Sequence, residues 1–551
     1  MIMRYLRLAV TPRFMSYSVS IVASVALSVL SFINPGFLPL FLIAAALAGL
    51  GTWDFLQTRH SILRSYPIAG HIRFILENIR PEIRQYFVES DTDGRPFSRN
   101  ERSAVYERAK GALNVRPFGT ELDVDAVSFE WLGHSMVPKE PSPEPFRTTV
   151  GGPDCAKPYS MSVFNISAMS FGAISANAVR ALNQGAKMGG FAHDTGEGGL
   201  SPYHREHDGD IIWEIGSGYF GCRDLEGNFA PETFTAQATS PQVKMIEIKL
   251  SQGAKPGHGG VLPAGKVSEE IAETRGVLAY RDCISPARHP AFSTPLELVA
   301  FIDRLRRLSG GKPVGFKLCV GHPWEFLGIC KAMLRTGIYP DFIVVDGAEG
   351  GTGAAPIEFA DHVGMPLHDG LMFVHNALVG LNIRGRIKLG ASGKITSGFD
   401  IVRAMALGAD WCNAARGFMF ALGCIQAQNC HTGRCPTGIA TQDPIRQRSL
   451  VVEDKAQRVA LYHRATLVAL AELLAAAGLG HPSELRPDHI WKRVSPGRVV
   501  TFEGLYRFLK PGELLTGTND PRFKEAWPAA RAEDFAPPAH AVEPARAVEM
   551  V

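Results

Sequence analysis

Three cysteines stand out for their chemistry, in Cys424-Ile-Gln-Ala-Gln-Asn-Cys430-His-Thr-Gly-Arg-Cys435. Thiolates at such short spacing on one loop can converge on a soft metal centre. With no fourth cysteine close by, Cys424, Cys430 and Cys435 suit a three-iron (3Fe-4S) cluster better than a tetrahedral zinc. Cys412 is the nearest other thiol, in an apolar stretch where a buried, unligated cysteine is the commoner case.

Three glycine-rich segments precede the trio: Asp346-Gly-Ala-Glu-Gly350-Gly351-Thr352-Gly353, Gly390-Ala-Ser-Gly393-Lys394 and Ala414-Ala415-Arg416-Gly417. Glycine lets backbone amides approach an anion closely, because it has no side chain and tolerates positive φ. Any one of these loops reads equally as ordinary turn glycine; three in succession at strand ends point to a phosphate site.

The elements that must position these loops are short apolar runs at 314–320, 342–346, 387–390 and 411–415, alternating with amphipathic segments. That βα repetition implies a parallel sheet, and a phosphate site on its last strands suits a (β/α)8 barrel. One helix is marked in full. Thr294 is its N-cap, Pro295 lies in the first turn, Glu297 closes a capping box, and Leu298, Val299, Ile302 and Leu305 form a buried stripe. Gly216-Ser-Gly218-Tyr-Phe-Gly221 matches the dinucleotide fingerprint by letters only. Gly227 and Pro231 interrupt the helix the fingerprint requires, so no Rossmann domain is implied.

With 551 residues, 46% hydrophobic content and a net charge of +3, the chain has room for one large catalytic domain and an appendage. No basic stripe interleaved with aromatics appears, so no nucleic-acid partner is expected. Nine cysteines in so long a chain do not make a disulfide scaffold and point to a reducing compartment.

The stretch after the trio, Pro436-Thr-Gly-Ile-Ala-Thr-Gln442, together with the glycine-rich strand ends, resembles the synthase domain of glutamate synthase from about residue 160 to 479. The resemblance implies an α/β fold, a TIM barrel of the FMN-dependent type, carrying FMN and a 3Fe-4S cluster on Cys424, Cys430 and Cys435. Around FMN it implies Ser170, Lys317, Gly350, Gly351, Thr352, Gly393, Ala415 and Arg416. Two departures stand there: Ser392-Gly393-Lys394 replaces the family's Asp-Gly-Gly, and Arg416 matches the flavin-phosphate position in placement but not in type.

Glu197, Lys255 and Arg275 match family positions around 2-oxoglutarate. A lysine and an arginine can bind the two carboxylates of a 2-oxo diacid, and a glutamate can hold or move a proton at the imine. The implied reaction is reductive amination of 2-oxoglutarate by ammonia, with electrons entering through the cluster from a separate donor, a ferredoxin or reductase subunit. The first cysteine is Cys155, so no glutaminase nucleophile opens the chain and ammonia is expected from solution or another subunit. His258 and Val261 stand where the family usually has glutamate and glutamine. A related FMN oxidoreductase on another amino or oxo acid, such as one forming N-methylglutamate, remains an alternative. A membrane-tethered electron-transfer module is another.

No charged residue occurs from 14 to 53, and Asn34-Pro35-Gly36 divides the run into 17–33 and 37–53, each near the lower limit for a spanning helix. Arg4, Arg7 and Arg13 precede the run and Arg59 and Arg64 follow it. The positive-inside rule therefore predicts a transmembrane hairpin in the cell membrane, with both ends and the catalytic domain facing the cytoplasm. A cleaved signal peptide is the rival reading. The expected organisation is hairpin 14–53, a cytosolic helical subdomain and linker 54–150 covering one end of the barrel, the barrel with its iron–sulfur loop 151–490, and an extension 491–551 whose tail from Trp527 is disordered.

Overall fold

The computed structural model describes residues 11–537. The chain divides between Arg95 and Pro96 into two compact units.

In the first unit α1 (Met15–Ile33) and α2 (Leu38–Leu56) are joined by the 3-10 turn Pro35–Phe37. The Asn34 side chain accepts the Gly36 N–H at 2.9 Å and fixes the reversal. Both helices are long and apolar enough to cross a membrane. The short helix Ser61–Ser65, α3 (Gly70–Ile83) and a π-helical turn Arg84–Val88 follow. The expected subdomain 54–150 thus spans the division, its first part in this unit and its remainder in the second.

The second unit is a closed barrel of eight parallel strands in sequential order: β1 (Phe164–Ile166), β2 (His193–Asp194), β3 (Ile211–Ile215), β4 (Val243–Lys249), β5 (Val314–Leu318), β6 (Phe342–Asp346), β7 (Lys388–Ser392) and β8 (Trp411–Ala414), which pairs with β1. Closure removes every exposed edge. Helices between the strands cover its outside. Among them α4 (Pro295–Leu308) has the expected capping box of Thr294 with Glu297, and its four stripe residues are fully buried. The long helix Val452–Ala476 is also apolar enough to span a bilayer, but half of it is buried inside this unit. At the far end a hairpin of Arg147–Val150 with Tyr159–Ser162 packs Val150 and Met161 against the barrel interior.

One expectation is overturned. The chain from Trp527 to Pro537 is packed rather than disordered: Lys331 donates to the Ala530 carbonyl at 2.6 Å, Leu296 N–H donates to the Ala532 carbonyl, and Ala530 and Ala532 are buried. A segment poor in large apolar groups is held here by its own backbone carbonyls, which composition does not reveal. The rest of the expected disordered tail, 538–551, lies outside the described residues.

Candidate active site

Alternation sorts the barrel interior into layers, since side chains two residues apart on a strand share a face. Ala192, Ile212, Met245 and Val344 belong with Trp411 to a buried apolar cluster. Two residues further along their strands come Asp194, Glu214, Glu247 and Asp346. Lys317 on β5 joins this charged layer at 2% exposure, bonded to Glu214 and 3.3 Å from Glu247. Carboxylate oxygens of Asp194, Glu214 and Glu247 lie within 4.8 Å of one another. Burial, then the Glu214 charge, pushes Asp194 up to about 7; burial likewise raises Glu247 well above the usual carboxylate range. Burial works against the charge on Lys317, but Glu214, Glu247 and Asp194 outweigh it and keep the ammonium protonated. The lysine therefore supplies the cation that this acidic trio requires.

Beyond this layer, at the C-terminal ends of the strands, opens a cleft. Of the eight expected flavin residues, Lys317, Gly350, Gly351, Gly393, Ala415 and Arg416 line it, whereas Ser170 and Thr352 do not. Ser170 lies instead beside Gly198, whose missing Cβ would sit 2.9 Å from Ser170 Cβ and 3.0 Å from an Arg275 nitrogen. Arg416 donates to the Glu349 carbonyl at 2.8 Å and its guanidinium lies 4.8 Å from the centre of the Phe97 ring. The loops after β4 and β6 meet so closely that a Cβ at Gly253 would collide with the Gly347 carbonyl.

These residues fit a flavin phosphate. Backbone without side chains at Gly350, Gly351 and Gly393, one arginine, and strand-end loops after β7 and β8 form an anion cradle, and Lys317 offers positive charge to a reduced ring. Sequence reasoning missed Phe97, Gln252 and Asp346 as lining residues. Gln252 and Asp346 had a signal, since each flanks a strand-end glycine. Phe97 had none, because it comes from a segment outside the barrel.

A second group of charges gathers around Glu197. Glu197 meets Lys249 at 3.2 Å and accepts the Ser285 hydroxyl at 3.2 Å. Lys255 and Arg275 are 3% and 4% exposed. Lys255 donates to the Gly259 carbonyl, and Arg275 donates to the Phe171 carbonyl at 3.0 Å and leaves its Nε without a partner. Burial raises the Glu197 pKa, but the Lys249, Arg275 and Lys255 charges together bring it down to about 2. Three cations around one carboxylate leave two positive charges in excess. Lys249 was missed, although it follows Met245 and Glu247 at two-residue spacing and so shares their face of the strand.

A carboxylate held near 2 is ionised across the working range and can accept a proton but not donate one. Glu197 is therefore expected to contribute no acid limb between pH 5 and 7, so that any apparent pKa in that range is the same in Glu197→Gln as in the unmodified protein. Disappearance of such a limb in pH profiles of kcat/KM would show that Glu197 titrates there.

Cys430 of the cysteine trio packs against the loop after β6. A Cβ at Gly353 would come within 3.2 Å of Cys430 Cβ, and the Lys266 ammonium donates to the Cys430 carbonyl at 2.8 Å. Gln442 donates to the Gly172 and Ile174 carbonyls, and the Ser175 hydroxyl to the Gly438 carbonyl, joining the segment after the trio to the loop after β1. Burial pushes Cys424 up to about 12, with the charges of Cys430 and Cys435 adding to it. Cys435 is the opposite case: burial opposes ionisation, but the Thr437 hydroxyl and the N–H groups of Ala440, Thr437 and Ile439 bring it below the usual thiol value. Preformed N–H donors to a sulfur suit a thiolate ligand of an iron–sulfur cluster. Cys412 is fully buried on β8 and stands apart from this set.

A closed parallel barrel with a glycine-lined cleft at the C-terminal strand ends defines a (β/α)8 enzyme. Residues 153–480 match the conserved region in glutamate synthase. A glutamate synthase large subunit-like protein of Bacillus subtilis, YerD, is 38% identical over 493 residues, covering 82% of this chain and 93% of that one. The chain belongs to the glutamate synthase family. An archaeal-type glutamate synthase [NADPH] of Thermotoga neapolitana is 37% identical over 320 residues, 58% of this chain, which spans only 60% of that relative's length. Among solved structures, a mutant flavocytochrome b2 with pyruvate bound aligns at 11% identity and a TM-score of 0.40 over 80% of this chain and 90% of that one. At that level it adds nothing to the strand order above.

Proposed function

We propose that this glutamate synthase-like oxidoreductase joins ammonia to a 2-oxo diacid, 2-oxoglutarate foremost, and reduces the imine to the amino acid. The observation that carries the reading is the pocket of Lys249, Lys255 and Arg275 around Glu197, whose two excess positive charges complement two carboxylates. Lys255 and Arg275, with Lys249, bind the carboxylates and exclude water from them. Ionised Glu197 takes a proton from the nitrogen as it bonds to C2, and the C2 oxygen leaves as water when the imine forms. The strand-end loops would hold FMN, which would supply hydride chemistry at C2, and Cys424, Cys430 and Cys435 would hold a 3Fe-4S cluster, which would supply one-electron transfer from a separate ferredoxin or reductase subunit. Ammonia comes from solution or another subunit. The hairpin anchors the enzyme in the cell membrane, and the flanking arginines keep the barrel on the cytoplasmic side.

Anaerobic reoxidation of the reduced holoenzyme by oxo acids plus ammonium tests this, with flavin absorbance as the readout. 2-Oxoglutarate with ammonium is expected to reoxidise it; a flavin indifferent to every oxo acid would leave only electron transfer. Position 261 sets the affinity. Gly260 lies against Glu197, so close that a Cβ there would collide with its Oε1, which brings Val261 to the edge of the charged pocket. A missing hydrogen bond to a bound polar group costs about 1–3 kcal/mol, so Val261→Gln is expected to tighten 2-oxoglutarate binding roughly ten- to a hundredfold. An unchanged preference across oxo acids would show that position 261 does not touch the substrate.

A further inference from the structure

The helix α3 in the first unit carries an exposed apolar stripe. Ile72, Ile75, Leu76, Ile79 and Ile83 fall within an arc of about 100° at helical spacing, and they are 39% to 60% exposed. The π-helical turn that follows adds Tyr86 and Phe87, the latter 85% exposed. Arg73, Glu77 and Arg80 occupy the other side, and Arg73 pairs with Glu77 at 2.8 Å. From 59 to 84 the chain carries five arginines against two glutamates.

The start of this helix is fastened to the hairpin. Asp54 near the end of α2, 1% exposed, accepts the Ile68 N–H and a His71 ring nitrogen, each at 2.9 Å. At the beginning of α1 the Ser16 hydroxyl donates to the Pro67 carbonyl at 2.9 Å. The turn is tight enough to put Ile68 at φ 65°. The stripe therefore begins at the end of the hairpin where the chain enters and leaves the bilayer.

We propose that α3 and its π-helical turn lie in the headgroup layer of the membrane that α1 and α2 span, with the apolar stripe facing the acyl chains and the arginines facing anionic headgroups. The inference rests on the anchor reading and replaces the expectation that this segment covers one end of the barrel. An amphipathic helix of low overall hydrophobicity with arginines on its polar side suits an interface rather than a span. Its continuity with the hairpin brings the lipid surface to it, and the excess of arginine is complementary to anionic lipid.

The test uses the full chain in vesicles of phosphatidylcholine and phosphatidylglycerol, with a photoreactive diazirine amino acid placed singly at Ile79, at Arg73 or at Ile43 within α2. Cross-linked products are identified by mass. Ile79 is expected to label lipid about as well as Ile43 does and roughly tenfold more than Arg73. Lipid labelling from Ile43 but none from Ile79 above the Arg73 level overturns the inference and leaves the anchor standing. Cross-links from Ile79 to the barrel or to a second copy do the same. No lipid labelling from Ile43 removes the anchor, and this inference with it.

Discussion

Cys430→Ser is expected to reduce bound iron from about three atoms per chain to near zero and to abolish the low-temperature EPR signal of the oxidised cluster. FMN content should persist, because Cys430 does not line the strand-end cleft. Charge on Cys435 raises the pKa of Cys424 and Cys430, charge on Cys430 adds to that of Cys424, and only at Cys435 do hydrogen-bond donors outweigh burial. Three ligands leave no redundancy, so removal of one is expected to cost the cluster rather than weaken it. Cys155→Ser, at a thiol bonded to the Gly311 carbonyl and outside the trio, serves as the control and should retain full iron. Equal iron in Cys430→Ser and the unmodified protein would sink the assignment.

Arg275→Gln is expected to lower kcat/KM for 2-oxoglutarate by a factor of roughly 30 to 5,000, the equivalent of about 2–5 kcal/mol for truncating one member of a buried charge pair. The arginine is almost fully buried, its Nε has no partner, and its charge helps to hold Glu197 ionised. Flavin content must be measured alongside, because Arg275 also fastens the Phe171 carbonyl. Arg275→Lys separates the two roles: it restores charge without the bidentate fork and should recover part of the affinity. Unchanged kinetics in Arg275→Gln with FMN fully bound would remove this residue from the substrate pocket.

Local chemistry was legible where it follows from short-range rules. The capping box of Thr294 and Glu297, the turn at Asn34-Pro35-Gly36 and the strand at 342–346 occur as the residue types require, because caps, turns and alternation depend on neighbours a few positions away. The packed segment 527–537 was misread because its order depends on Lys331 and Leu296, about two hundred residues distant. Thr352 illustrates another limit: it belongs to a loop of which Gly350 and Gly351 line the cleft, yet it does not. Loop membership is sequential, but lining a cleft is spatial.

By itself the sequence determined the barrel class, the membrane-compatible hairpin, the thiolate trio and the identity of most charged groups, since periodicity, composition and spacing are local properties of the chain. Only the tertiary structure decided which charges share a pocket. Closure of eight strands brings Glu197, from the loop after β2, together with Lys249 at the end of β4 and with Lys255 and Arg275 from the long connection after it, and seats Lys317 among Asp194, Glu214 and Glu247, where burial and mutual charge set their protonation. Those fields fall off with distance through space rather than along the chain, so the charged cluster around Glu197 came into view only with the folded barrel.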